Sequence, residues 1–181
     1  FKIKSFCKIN LTLRVLNKLR NGYHEIISLV TFCDLHDVIF IKKINGLHDK
    51  IIFSGKFKKG INKKFNTITK LLNLLRKNNF LSKQAFNINI RKNIPHGSGL
   101  GGGSSNAASL LNFFNSQMNL KINKNKTNEL ASHVGSDTPV NLFKKNTLIF
   151  GKKGNLLRFN IKFGLNVLII YPNIICSTKK I

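Results

Sequence analysis

The ten residues from Gly97 to Asn106 read GSGLGGGSSN and are the most informative part of this chain. Five of the first seven are glycines, which let the backbone take positive φ angles and approach a ligand closely. The segment follows Ile94-Pro95 and leads into an amphipathic helix predicted from about Ser104. Free N–H groups and the positive end of the helix dipole meet at a helix N-terminus, so this loop is suited to bind a phosphate.

Three common phosphate-binding loops do not fit the residues around this one. A dinucleotide fingerprint at Gly97-x-Gly99-x-x-Gly102 requires an acidic residue about 20 positions later, and residues 121–124 (KINK) contain none. A P-loop requires G-K-[ST], but the loop has no lysine. A protein kinase requires later H-R-D and D-F-G motifs, which do not occur. The sequence therefore predicts a phosphate loop of another class.

Hydrophobic periodicity places the loop in a domain of strands and helices. Residues 6–15 alternate, which predicts a strand with Lys8 and Asn10 side by side on its polar face. Its buried face would carry Cys7, Ile9, Leu11, Leu13 and Val15. Other strands are predicted over 26–33, 37–43, 50–53, 85–91, 147–150, 156–159 and 165–171. Helices are predicted over 66–76 with Asn66 as cap, from about 104, over 127–134 and from Asp137-Thr138-Pro139. This order indicates an α+β domain.

The net charge of the 181-residue chain is +25, with only six acidic residues. A nucleic-acid binder is one interpretation. We favour compositional drift, because Lys, Asn, Ile and Phe are abundant throughout and the lysines form no single patch. The three cysteines are far apart in apolar surroundings, which predicts reduced, buried thiols of a cytosolic protein. The five histidines show no metal-ligand spacing, and no apolar run is long enough for a transmembrane helix.

Four segments together resemble the GHMP kinase superfamily. Pro95–Ala108 (PHGSGLGGGSSNAA) is similar to its second motif, P-x-G-x-G-L-G-S-S-A. Phe6–Leu11 (FCKINL), Asn21–His24 (NGYH) and Val134–Val140 (VGSDTPV) resemble A-K-[IL]-N-L, D-G-Y-H and L-G-[AS]-D-[VI]-P-[VF] of one branch of that superfamily. Cys7 replaces the usual Ala, and Asn21 the frequent Asp. The third GHMP motif does not occur in this sequence.

The resemblance implies both a fold and a reaction. Residues 1–160 would form the GHMP kinase N-terminal domain, similar to domain 2 of ribosomal protein S5. Residues 161–181 would lead to a ferredoxin-like C-terminal domain, most of which we expect to be missing from this sequence. The implied reaction is ATP-dependent phosphorylation of the 2-hydroxyl of 4-diphosphocytidyl-2-C-methyl-D-erythritol in the non-mevalonate isoprenoid pathway. Mg²⁺ would accompany ATP, and the enzyme would be cytoplasmic, without nucleic-acid or membrane partners.

The resemblance also assigns site residues. Asp137 would accept the hydroxyl proton, and Lys8 would lie beside it and stabilise the developing alkoxide. From the residues alone, Asp137 could equally be a helix cap, and Lys8 one more surface lysine. Asn10 would bind the methylerythritol portion, and Tyr23 and His24 would contact cytidine. The residues expected to bind ATP are Pro95, His96, Gly97, Ser98, Gly99, Leu100, Gly101, Gly102, Gly103, Ser104 and Ser105.

Two alternatives remain open on the sequence. A GHMP kinase with another acceptor, such as homoserine or mevalonate, would share the glycine loop and Asp137. The element Gly22-Tyr23-His24 separates it from the first hypothesis, because that element is expected to read cytosine. A basic RNA-binding module on a similar α+β scaffold would explain the charge of +25 but would leave the glycine loop and Asp137 without a role.

Overall fold

A computed structural model describes residues 1–19, 22, 24–161 and 164–172. Six strands form one sheet in these ranges, and four helices accompany it. The strands are β1 (Lys2–Lys18), β2 (His24–Ile44), β3 (Lys50–Ser54), β4 (Ala85–Arg91), β5 (Asn146–Phe150) and β6 (Asn155–Phe159). The helices are α1 (Thr67–Lys77), α2 (Gly102–Gln117), α3 (Lys124–Val134) and α4 (Thr138–Asn141). No helix of the described ranges is long and apolar enough to cross a membrane.

The long strand β2 is the centre of the sheet. Strand β1 runs antiparallel along one edge of β2, with Lys2 opposite Phe40 and Lys18 opposite His24. On the other edge, β4 pairs with residues 38–44 and β5 with residues 28–30, both antiparallel. Strand β3 joins β4 in parallel, and β6 joins β5 antiparallel. The predicted α+β class is therefore confirmed.

One face of the sheet packs against the helices. Alternate residues of the two central strands β2 and β4 point into the core, which contributes the main hydrophobic stabilisation. Buried core residues from these strands and from α1 and α2 are Ile39, Ile41, Phe86, Ile88, Ile90, Ile68, Leu71, Leu72, Leu75, Leu110, Leu111 and Phe114. The opposite face is left more open, as the 43% exposure of Phe40 indicates.

The helix predicted over 66–76 is α1, and its cap is the expected one. The Asn66 side chain accepts hydrogen bonds from the backbone N–H groups of Ile68 and Thr69, each at 3.0 Å. These bonds satisfy two of the amides that a helix leaves free at its start. The predicted strand 85–91 coincides with β4. Helices α2 and α3 begin a few residues earlier than predicted, at Gly102 and Lys124.

Three local predictions were wrong. The segments 26–33 and 37–43 are one strand, because the residues between them remain extended within β2. Leu13 and Val15, expected to be buried, are 60% and 58% exposed. All residues of β1 from Thr12 to Lys18 are exposed, so this end of the strand has no buried face, although its pairing with β2 continues to Lys18.

The third error concerns residues 165–171, which form no strand within the described range 164–172. A strand needs a neighbour for its backbone hydrogen bonds, and none of the described strands pairs with this segment. Leu168 and Ile170 are 85% and 82% exposed. The assignment of residues 161–181 to a connection between domains stays a prediction.

Candidate active site

The glycine loop lies directly against strand β1. The Lys8 backbone N–H donates to the Leu100 carbonyl at 3.0 Å. Gly101 precedes α2 with a φ of +67°, and a Cβ built there would lie 2.7 Å from Lys8 Cγ. The missing side chain therefore leaves room for the stem of Lys8, and the positive φ favours glycine at this position. The loop and Lys8 are thus fitted to each other.

A cleft of about 620 Å³ opens over the loop. The loop contributes most of its predicted ATP-binding residues to the wall, and the first turn of α2 is among them. The other wall carries Phe65, Asn66 and Thr67 from the segment that enters α1. Asp137 also lines the cleft, and so does Lys92. This combination of bare backbone and a helix N-terminus suits the phosphates of a nucleotide.

Two predicted ATP-binding residues lie elsewhere. The carbonyl of Leu100 is engaged by Lys8, and this residue is not part of the cleft wall. Ser105 is buried, donates to the Phe6 carbonyl and accepts a hydrogen bond from the Ser5 hydroxyl at 2.9 Å. In this structure both residues fasten the loop and α2 to β1.

Lys8 and Asp137 meet at the edge of the cleft. Lys8 Nζ lies 3.3 Å from Asp137 Oδ2 and donates to Asn10 Oδ1 at 2.7 Å. Asn10 Nδ2 in turn donates to the Ser28 hydroxyl at 2.7 Å, so both ends of its amide are engaged. The Lys8 side chain is 10% exposed, whereas that of Asp137 is 46% exposed. The ammonium is held in place, and the carboxylate remains accessible to a ligand.

The Asp137 side chain does not cap the helix that follows it. Asp137 precedes α4, but its side chain makes no capping hydrogen bond. The short helix is secured by other contacts. Asn141 Nδ2 donates to the Asp137 carbonyl at 2.7 Å, and Arg158 Nη2 donates to the Pro139 carbonyl at 3.0 Å. Burial lowers the pKa of Arg158. The Asp137 carboxylate is therefore directed to Lys8 and the cleft.

Sequence analysis missed a second carboxylate beneath the loop, that of Asp37. Asp37 is fully buried and forms an ion pair with Lys92 Nζ. It also accepts from the backbone N–H groups of Asn93 and Ile94, at 2.7 and 2.8 Å, and from Asn106 Nδ2 at 3.0 Å. Asp37 thus joins β2 to the start of the loop and to α2. The one feature of the sequence that pointed to Asp37 was the rarity of acidic residues.

Asn106 has one buried polar atom without a hydrogen-bond partner in the described part of the chain. It lines the cleft and is 2% exposed. Its Oδ1 has no hydrogen-bond partner among the described residues. A buried acceptor without a partner costs free energy.

Of the two predicted cytidine contacts, His24 does not lie beside this pair. Tyr23 lies outside the described residues. His24 is exposed at the first residue of β2, opposite Lys18. Eight residues of strand separate it from Phe32, which lies opposite Lys8, a path of about 26 Å along an extended strand. The roles of Tyr23 and His24 stay predictions.

Comparison with known proteins agrees with this geometry. A family model described as GHMP kinases N terminal domain matches residues 66–145. The matched range includes the glycine loop, α2 and Asp137. Residues 66–145 are therefore similar to the GHMP kinase N-terminal domain, and the resemblance to this superfamily is confirmed.

Individual relatives narrow the comparison from the superfamily to one kind of kinase. The chain is 44% identical over 181 residues to the 4-diphosphocytidyl-2-C-methyl-D-erythritol kinase of Pelagibacter ubique, covering 100% of this chain and 63% of that protein. It is 36% identical over 180 residues to the kinase of the same name from Caldanaerobacter subterraneus, covering 99% and 61%. A crystal structure of 4-(cytidine 5'-diphospho)-2C-methyl-D-erythritol kinase shares the fold, with a TM-score of 0.71, 24% identity and coverage of 93% and 61%.

The chain thus spans about 61–63% of the length of these two relatives. The glycine loop, Lys8 and Asp137 all lie close together within its described residues.

Proposed function

We propose that the protein is an ATP-dependent kinase that phosphorylates the 2-hydroxyl of 4-diphosphocytidyl-2-C-methyl-D-erythritol. The observation that carries this proposal is the Lys8–Asp137 pair, 3.3 Å apart at the edge of the glycine-lined cleft. Phosphoryl transfer requires positioned reactants, neutralised charge and an acceptor for the hydroxyl proton. The cleft supports the first two requirements, and Asp137 supports the third.

Each residue of the pair has a defined role in this proposal. The Asp137 carboxylate accepts the proton of the attacking hydroxyl. The Lys8 ammonium stabilises the alkoxide as its charge develops. Asn10 Oδ1 accepts a hydrogen bond from Lys8 Nζ, and Asn10 Nδ2 donates one to the Ser28 hydroxyl. Orientation by this chain of contacts keeps the ammonium directed at the reacting oxygen.

The cleft fits ATP on two counts. A Cβ at Gly102 would lie 3.0 Å from Ile94 Cγ2 and 3.2 Å from Lys92 Nζ. Ile94 and Lys92 therefore pack against one side of the loop backbone, and no side chain covers the backbone at Gly102 on the side of the cleft. The first turn of α2 also lines the cleft, where its free N–H groups would bind phosphate. Mg²⁺ would neutralise phosphate charge when bound. No cluster of three ligand side chains occurs among the described residues, so phosphates and water would hold most of its coordination sites.

The acceptor is proposed from the relatives. The two named above are 4-diphosphocytidyl-2-C-methyl-D-erythritol kinases, at 44% and 36% identity. Homoserine and mevalonate kinases share the fold at 16% and 18% identity, which favours the cytidine-linked acceptor over theirs. We also propose that Tyr23 and His24 contact the cytidine, and that the enzyme works in the cytoplasm within the non-mevalonate pathway.

An acceptor assay tests this function. The intact protein is incubated with Mg-ATP and 4-diphosphocytidyl-2-C-methyl-D-erythritol, homoserine or mevalonate in parallel. We expect ADP and a 2-phosphate, detected by phosphorus NMR, with the first acceptor alone. Phosphorylation of homoserine or mevalonate at a higher kcat/KM would overturn the choice of acceptor. Absence of ADP formation with all three would overturn the kinase proposal.

The RNA-binding alternative predicts a different result. Its support is the net charge of +25, which would attract any polyanion. Binding to RNA would weaken steeply with salt and would not depend on Asp137. Nucleotide binding in the cleft should persist at moderate salt, because backbone N–H groups contribute directed hydrogen bonds. A salt titration of both ligands separates the two hypotheses.

A further inference from the structure

The cysteines Cys7 and Cys33, which looked unrelated in the sequence, are in contact. Their Sγ atoms lie 2.8 Å apart, and both are free thiols. Cys7 is fully buried, as predicted, but Cys33 is only partly buried. The prediction of buried thiols is therefore confirmed for Cys7 and wrong for Cys33. Cys176 lies outside the described residues.

An irregularity of the sheet brings the two sulfurs together. Phe6 lies opposite His36 and Lys8 opposite Phe32, so that residues 33–35 of β2 face Cys7 alone. A bulge of this kind bends the strand and redirects side chains. A disulfide bond is about 2.05 Å long, so the two sulfur atoms need to move only a little closer to form one.

We propose that Cys7 and Cys33 form a site of reversible oxidation, at which a small disulfide such as glutathione disulfide converts the two thiols into an intrachain disulfide. Cys33 is the entry point because it is partly exposed. Burial, followed by the contact with Cys33, raises the pKa of the Cys7 thiol to about 12. Cys7 is therefore the slower nucleophile and acts second, on a sulfur that is already in contact with it.

The exchange balances without another reactant. The Cys33 thiolate attacks one sulfur of glutathione disulfide and releases one glutathione thiolate. The Cys7 thiolate then attacks the Cys33 sulfur of the mixed disulfide and releases the second. The two protein thiols lose their protons and two electrons, and glutathione disulfide is reduced to two glutathione molecules. Excess glutathione reverses both steps.

The site is next to the proposed catalytic lysine. Lys8 follows Cys7 directly, and its backbone N–H holds the glycine loop through Leu100. A cross-link at Cys7 would fix the segment of β1 that carries Lys8 to β2. The proposal concerns the oxidation itself and does not depend on the acceptor of the kinase reaction.

Peptide mapping of the intact protein tests the proposal. Cleavage after lysine and arginine places Cys7 in peptide 5–8 and Cys33 in peptide 21–42. After incubation with glutathione disulfide and trapping in acid, we expect these two peptides to be linked, with loss of both free forms. Reductant should restore them. Cys33 left as a stable mixed disulfide, or both thiols left unreacted, would overturn the proposal.

A matched variant shows whether contact between the sulfurs is responsible. Cys7→Ala removes the second thiol and introduces the residue usual in the resembling family. In this variant we expect Cys33 to stop at the mixed disulfide with glutathione, with an unchanged melting temperature confirming the fold. If mixed disulfide is as abundant in the unsubstituted protein as in Cys7→Ala, Cys7 does not resolve it and the proposal fails.

Discussion

Two lysine–aspartate pairs flank the same glycine loop and differ in their access to solvent. In the Lys8–Asp137 pair the carboxylate is 46% exposed and faces the cleft. In the Lys92–Asp37 pair the two side chains are 4% and 0% exposed, and the carboxylate accepts three further hydrogen bonds. A carboxylate with free lone pairs can take a proton from a ligand, whereas a saturated buried one holds structure. We therefore expect the first pair to govern turnover and the second to govern stability.

The largest effect should come from Asp137→Asn. The amide keeps the shape of the side chain but cannot accept the hydroxyl proton, so kcat should fall by roughly 10²–10⁴-fold. The melting temperature should hardly change, because the carboxylate caps no helix. Single-turnover rates with saturating ATP and acceptor measure the loss. Turnover within a few-fold of the parent would mean that the base lies elsewhere.

A double-mutant cycle shows whether Lys8 and Asp137 act together. Lys8→Met keeps the apolar stem against Gly101 and removes the charge. We expect a loss of kcat similar to that of Asp137→Asn, and a loss in the double variant smaller than the product of the two. If the two losses of kcat multiply in the double variant, Lys8 and Asp137 act independently.

For the buried pair, the expected loss is in stability. Asp37→Ala leaves the Lys92 ammonium buried without its partner, which should lower the free energy of unfolding by about 3 kcal/mol or more. The KM for ATP should rise, because Asn93 and Ile94 lose their common acceptor at the start of the loop. Denaturant unfolding and steady-state kinetics measure the two effects.

The control for Asp37 is Asp37→Ala combined with Lys92→Met. Removing the unpaired charge should recover part of the lost stability. A double variant less stable than Asp37→Ala would show that Lys92 stabilises the fold in some way other than pairing with Asp37.

A smaller effect is expected within the loop. Gly101→Ala places a Cβ against Lys8 Cγ at a φ of +67°, and the left-handed conformation alone costs about 1–2 kcal/mol. The matched control is Gly103→Ala, whose Cβ would have only an ordinary contact, 3.5 Å from Thr67. We expect the first variant to lose both stability and turnover and the second to lose little stability. Melting curves beside kcat test this, and equal losses would contradict the fit between loop and Lys8.

The smallest effect should come from an exposed pair, Lys126–Glu129, 2.8 Å apart on α3. The hydrogen bond from Lys126 lowers the pKa of Glu129. Exposed pairs of this spacing contribute little to stability, and this one lies outside the cleft lining. Glu129→Gln should change neither turnover nor the denaturation midpoint measurably. A clear change in turnover or in the denaturation midpoint would show that the distance of an ion pair from the cleft does not predict how much the pair matters.

The parts of the fold that the sequence predicted well depend on neighbouring residues. Asn66 caps α1 through amides two and three residues away. The alternation of residues 85–91 survives in β4 because its partners β2 and β3 pair without a register shift. The alternation of residues 6–15 failed at Leu13 and Val15, because every residue of β1 from Thr12 to Lys18 is exposed and neither face of that end of the strand is covered. Local pattern alone does not contain that information.

The sequence by itself predicted a phosphate-binding loop at residues 97–106, because glycine density and a following helix start are local properties. It also singled out Asp137 and, through the family motif, Lys8. Only the tertiary structure decided what these residues contact. Asp37 reaches Asn106 across 69 positions, and Cys33 reaches Cys7 across 26. Such contacts arise from strand register and burial, which depend on the packing of the whole sheet rather than on neighbouring residues.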